Sequence, residues 1–209
     1  TALSLLSKEE RSVMSGIEFV REAQAKKTIK GLKRNEIWGE FHSPGGPPAP
    51  RTINLFDVEA ESDTAQFIGE PDHPHPLPSM CLLHEMGHAI ADHPRTRMNE
   101  ECNAQIAEAK KLVAQWNALS AAGKESSPEG VTLGLQILEL KKKREEHNLR
   151  HERLSASYRR NEGPVHAAYL AVRGPDKGPT RYGRTDVEES FAESFALYKA
   201  DPEALRRIY

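Results

Sequence analysis

The chain has 209 residues, 29 Lys plus Arg against 31 Asp plus Glu, and a formal net charge of −2. That length supports one substantial domain, or one domain with an insertion, and the charge gives no electrostatic case for a nucleic-acid or anionic-membrane partner. No apolar run approaches the length of a membrane span.

The N-terminal Thr1-Ala2-Leu3-Ser4-Leu5-Leu6 is too short and lacks the basic leader of a signal peptide. Because the chain starts on Thr, it reads as a processed product or a piece of a longer protein. Residues 8–30 carry Val13, Met14, Ile17 and Val20 at helical spacing, with Ser7 and Glu10 as a capping box, and are expected to be one helix. Ile37, Trp38 and Phe41 lead into Ser43-Pro44-Gly45-Gly46-Pro47-Pro48, a loop by its turn chemistry. Residues 52–58 alternate like a strand, and an edge position would let them pair with extended substrate. Residues 71–79 hold four prolines with His73 and His75, an extended lead-in whose histidines are spare ligand or substrate-contact candidates.

A helix is expected from about Met80 to Asp92, capped by Ser79 and stopped by His93-Pro94. A second follows over 99–119, with Ile106, Leu112, Val113, Trp116 and Leu119 as its apolar side. After Gly, Ser and Pro at 120–130, a long helix over 131–159 begins apolar with Val131, Leu135 and Leu138, then turns densely charged. The pair reads as an antiparallel hairpin, 99–159, inserted in one domain over 1–209. His147 and His151 sit in its charged part and are expected on a solvated face. Residues 165–173 suit a short helix or a strand. Gly174-Pro175 and Gly178-Pro179 make a loop, a helix runs from about Asp186 to Ala200, and Asp201-Pro202 caps a last short one. Cys81 and Cys102 are too few for a disulfide framework and read as free buried thiols.

His84-Glu85-Met86-Gly87-His88 carries the chemistry. Residues four apart share one helix face, so the two imidazoles can hold one ion, and neutral imidazole suits zinc. Glu85, a quarter-turn away, is placed to take a proton from water activated by the metal. Leu82, Leu83, Met86 and Ile90 fall on the opposite side, where a core belongs. Gly87 is unfavourable inside a helix by roughly 1 kcal/mol relative to Ala, which suggests that another backbone comes close. A third ligand is expected from a later helix. There Glu189, Ala192, Glu193 and Ala196 share a stripe, and Phe191, Phe195 and Tyr198 cover another side. Carboxylates flanked by alanines are expensive to bury without a cation. Glu188 can instead serve a capping box with Thr185.

Tyr182-Gly183-Arg184-Thr185-Asp186 with Glu189, Phe191-Ala192-Glu193 and Phe195, together with His84–Ile90, resembles the two active-site blocks of the anthrax lethal factor catalytic domain. The resemblance implies a zincin-like metalloprotease of α+β class, mostly helical with a small sheet. It implies His84, His88 and Glu189 as Zn2+ ligands, Glu85 as general base, and Glu193 orienting a ligand. Tyr182 would steady the oxyanion or the leaving amine. The stretch between His88 and Glu189 is longer than that family leads one to expect, and the hairpin accounts for the excess. The reading that follows is a zinc endopeptidase acting on a protein or peptide. It would be a bacterial toxin or effector domain, secreted or delivered as part of a larger protein, whose hairpin could dock an immunity or host protein. The alternatives are a housekeeping intracellular zinc peptidase and a non-catalytic zinc-binding interaction module.

Overall fold

Among the described residues five strands precede most of the helices, and one long helix carries the His84–His88 motif. The computed structural model describes residues 2–23, 25, 38–43, 50–57, 64–67, 70–174, 178–180 and 182–208, with backbone alone over 64–67 and 70–78. The chain divides into two compact units, 1–93 with 161–209, and 94–160. No helix among the described residues is long and apolar enough to cross a membrane.

In the first unit, Ser7 caps α1 (Lys8–Val13) and completes the expected capping box with Glu10. The helix expected to run on to residue 30 stops here. Gly16 takes a positive φ of 74°, which reverses the chain, and β1 (Ile17–Glu22) follows. The apolar spacing that suggested one helix is shared by a short helix and a strand that both face the core. Residues 26–30 lie outside the described set. The sheet joins β1, β2 (Gly39–His42) and β3 (Arg51–Phe56) in the order β1-β3-β2. β1 runs parallel to β3, with Phe19 opposite Ile53, and β2 runs antiparallel to it, with Phe41 opposite Ile53. The strand expected at 52–58 therefore exists but is central, and the edge beside it is β2. Most of the loop at 43–48 lies outside the described residues.

β4 (Thr64–Phe67) and β5 (Glu70–Pro76) form a separate antiparallel pair. The proline-rich lead-in is thus a strand, and the side chains of His73 and His75 lie outside the described residues. β5 passes straight into α2 (Leu77–Ala121), so the helix starts ahead of Ser79. Pro78 fits its first turn, where N–H groups lack intrahelical partners. The larger departure is at Pro94. The expected stop is absent, and α2 continues through it as one helix. Proline inside a helix removes one hydrogen bond and costs about 3 kcal/mol; here it marks the boundary between the two units rather than an end.

The core of the first unit gathers Leu6, Val13, Ile17, Ile53, Leu83 and Met86 with Phe195 and Leu197. Leu83 and Met86 are fully buried, and Leu82 and Ile90 pack against them half-buried, as the helical spacing required. The chain closes with α4 (Pro164–Arg173), α5 (Val187–Ala200) and α6 (Pro202–Ile208). The architecture is α+β, dominated by helices, with a small three-stranded sheet.

The second unit pairs the later part of α2 with α3 (Pro128–Arg159). They run antiparallel. Arg95 stacks over the Tyr158 ring, the His151 ring nitrogen meets Asn99 Oδ1 at 3.2 Å, and Trp116 lies against Gly134. Gly123 turns the chain with φ 66°, and Ser127 caps α3 through the Gly130 amide. Residues Leu133, Ile137, Leu140, Arg144, His147 and His151 recur at a heptad spacing on the side facing α2. This corrects the solvated reading of the histidines: His147 is buried and His151 half-buried. Val131, Leu135 and Leu138, with Val113 of α2, are exposed. Both cysteines are free and half-buried, Cys81 in the first unit and Cys102 in the second.

Candidate metal centre

The centre is assembled by two helices that touch backbone to backbone. At Gly87 an added Cβ would sit 3.0 Å from Ala192 Cα and 3.4 Å from its Cβ. Glycine on α2 and alanine on α5 therefore let the axes approach, the close packing expected from these small residues. Across that contact His84 and His88 of α2 face Glu189 of α5. His84 Nε2 and His88 Nε2 are 3.0 Å apart, and Glu189 Oε2 is 3.1 Å from the first and 3.3 Å from the second. His84 and Glu189 are buried and His88 is half-buried, and the three form a group that can hold a metal ion.

The chemistry of the donor set fits zinc. Two imidazole nitrogens and a carboxylate oxygen around a tetrahedral ion with bonds of roughly 2.0–2.1 Å lie about 3.3 Å from one another. Three donor atoms this close can share one cation. His84 Nδ1 meets Glu193 Oε1 at 2.9 Å. The carboxylate there favours a proton on Nδ1, which leaves Nε2 to face the other two side chains. Burial opposes charge on His84, yet contact with Glu189 and Glu193 raises its pKa well above the ordinary range. Burial likewise opposes ionisation of Glu189, and the two histidines overcome it and hold the carboxyl far below its usual value.

Local structure explains how Glu189 arrives. The cap of α5 is Asp186, whose Oδ1 accepts from the Glu189 amide at 2.9 Å. This corrects the Thr185–Glu188 capping box. Thr185 instead donates its hydroxyl to the Tyr182 carbonyl, closing a 3-10 turn over Tyr182–Arg184. Gly183 in that turn packs on Glu193, where a Cβ would come within 3.2 Å of the side chain. The fit brings Tyr182 to the cluster. Its ring centroid is 6.0 Å from that of His84, and its hydroxyl bonds to Glu189. Burial, then the charges of Glu189, Glu85 and Asp186, push its pKa far up, so it stays a proton donor.

Glu85 is buried beside the cluster without belonging to it. Burial raises its carboxyl pKa against the opposing influence of His84 and His88. Its carboxylate accepts from the backbone amide of Phe41 in β2. All six residues singled out from the sequence, His84, Glu85, His88, Tyr182, Glu189 and Glu193, thus lie together. His93 is half-buried in α2, and His147 and His151 belong to the other unit.

Three neighbours had no local signal. Gly39 and Phe41 of β2 flank Glu85 through a strand pairing that spacing does not reveal. His166 of α4 is buried, edge-on to Phe191 with centroids 5.8 Å apart. Burial lowers its pKa, while Glu188 and Asp92 favour its charged form and His88 disfavours it. A lone histidine ahead of two alanines carries no motif. α4 is fixed to α5 by the Tyr169 hydroxyl, 2.9 Å from Ser190 Oγ and 2.8 Å from Ser194 Oγ.

Comparison with protein-family models, with curated proteins and with solved structures returned no match.

Proposed function

We propose that the chain is a zinc-dependent endopeptidase of zincin-like architecture, working as a bacterial toxin or effector domain delivered as part of a larger protein. The observation that carries this reading is the convergence of His84 Nε2, His88 Nε2 and Glu189 Oε2 within 3.3 Å of one another, with a buried carboxylate and a protonated tyrosine beside them. The toxin or effector assignment rests on the two active-site blocks and their resemblance to lethal factor.

Bound at these three residues, zinc would supply Lewis-acid polarisation of the scissile carbonyl and acidify water. Glu85 takes the proton from the attacking water and passes it to the leaving nitrogen. A carboxyl already raised by burial is suited to both halves of that transfer. The Tyr182 hydroxyl donates to the oxygen on which negative charge develops. Glu193 keeps His84 in its ligating orientation. An extended peptide would add to the side of β2 that no described strand pairs. Trp38 and Phe56 share a ladder bond, and by alternation the backbone groups of Gly39 and the carbonyl of Phe41 then face that side, while the Phe41 amide is taken by Glu85.

The test is incubation of zinc-loaded chain with a denatured protein, read by mass spectrometry, beside Glu85→Gln. Cleavage by the wild type, lost on chelation and absent in the variant although it retains zinc, supports the assignment. Retained cleavage in Glu85→Gln removes the base role. No cleavage by a zinc-loaded wild type would leave a zinc-binding interaction module.

A further inference from the structure

Glycine at position 39 is unexplained by the fold alone. Its backbone is not in the left-handed region that favours glycine, and it sits inside a regular strand, where glycine weakens pairing. What it does is leave room. A Cβ there would lie 2.8 Å from Glu85 Oε1, 2.9 Å from Glu85 Cγ and 2.8 Å from Cys81 Sγ. All three distances are shorter than real Cβ contacts, and Glu85 is buried and cannot swing into solvent. Two residues along the same strand, the Phe41 amide donates to the Glu85 carboxylate. The strand therefore offers a gap and a donor to one side chain.

We propose that β2 is the seat of Glu85, with Gly39 supplying the space and the Phe41 amide the orientation, so that this strand positions the carboxylate. This rests on the endopeptidase reading for its consequence, though the seat itself exists without substrate. Both are positioning residues and neither touches the reacting atoms. The device explains how a glutamate, flexible at three torsions, is held at a fixed height above the metal ligands. An alanine at 39 would push the carboxylate off the Phe41 amide while leaving His84, His88 and Glu189 on their own helices.

The experiment measures amide hydrogen exchange at Phe41 in the wild-type chain, Glu85→Ala and Gly39→Ala, with zinc content of each. A hydrogen bond to a charged acceptor corresponds to roughly tenfold or more in local opening. Exchange at Phe41 faster by about that factor in both variants, with one zinc retained, supports the seat. For a wild type that cleaves peptide, Gly39→Ala should also lose turnover with zinc affinity unchanged. Phe41 exchange equal in wild type and Glu85→Ala overturns the proposal, even if Gly39→Ala fails to fold. An inactive wild type that still shows slow exchange dependent on Glu85 overturns the endopeptidase reading and keeps the seat.

Discussion

Gly87→Ala isolates the contact on which the candidate metal centre depends. The new methyl carbon would stand 3.0 Å from Ala192 Cα, where carbon pairs prefer about 3.5–4.0 Å. The helices must therefore separate by roughly 0.5–1 Å. Two opposing terms act on the metal-free fold. Alanine favours the helix by about 1 kcal/mol over glycine, and overpacking a tight contact costs about 1–3 kcal/mol. The net change in stability is a loss of about 0–2 kcal/mol. A bound metal would feel more, because Glu189 rides on α5 one turn before Ala192, and ligand distances tolerate only about ±0.2 Å. Zinc affinity should fall by about tenfold or more. Competition against a chromophoric chelator reads the affinity, and thermal melts of the chelated protein read the fold. A variant that melts above wild type and binds zinc as tightly would refute the close approach of α2 and α5, and with it the way Glu189 reaches the histidines.

Glu193→Ala removes the carboxylate 2.9 Å from His84 Nδ1. Zinc affinity should drop by about 10–100-fold with little change in melting temperature, and unchanged affinity in the same chelator competition would dismiss the orienting role. His147 gives a pH test remote from the metal. Burial lowers its pKa below the ordinary histidine range, with Arg150 and His151 acting in the same direction and Glu101 opposing. The unfolded chain then binds the extra proton first, so the stability held by the neutral ring is full above the unfolded pKa and fades as pH falls through the folded one. Protection factors over residues 94–160, with exchange corrected for its intrinsic pH dependence, should fall between about pH 7 and pH 5, and His147→Leu should flatten that slope. An equally steep slope in the variant would place the titrating group elsewhere.

The site was legible where chemistry follows helical spacing. His84 and His88 needed only a four-residue interval, and Gly87 announced a close neighbour that proved to be Ala192. The alanine-flanked stripe offers Glu189 and Glu193 as candidates, and the likeness of a short segment singles out Glu189 and Tyr182, whose partners lie far off in the chain. Long-range pairing was hidden. Residues 52–58 read as a strand, but nothing local shows that β1 flanks it on one side and β2 on the other, so the edge was assigned to the wrong strand. The segment after Val13 misled because apolar residues at 13, 14, 17 and 20 fit a helix, while Gly16 at positive φ divides them between α1 and β1. Pro94 misled in the other direction, for a penalty of about 3 kcal/mol is tolerable within a helix of 45 residues. His147 looked solvated because its sequence neighbours are charged, and only the heptad seam toward α2 explains its burial.

The most direct measurement is the zinc content of the purified full chain and of Glu189→Ala, after metal supplementation and gel filtration. One zinc per wild-type chain, lost or much weakened in the variant, is the predicted result. Zinc retained undiminished by Glu189→Ala would contradict the three-residue centre, and no zinc in the wild type would contradict a metal site altogether.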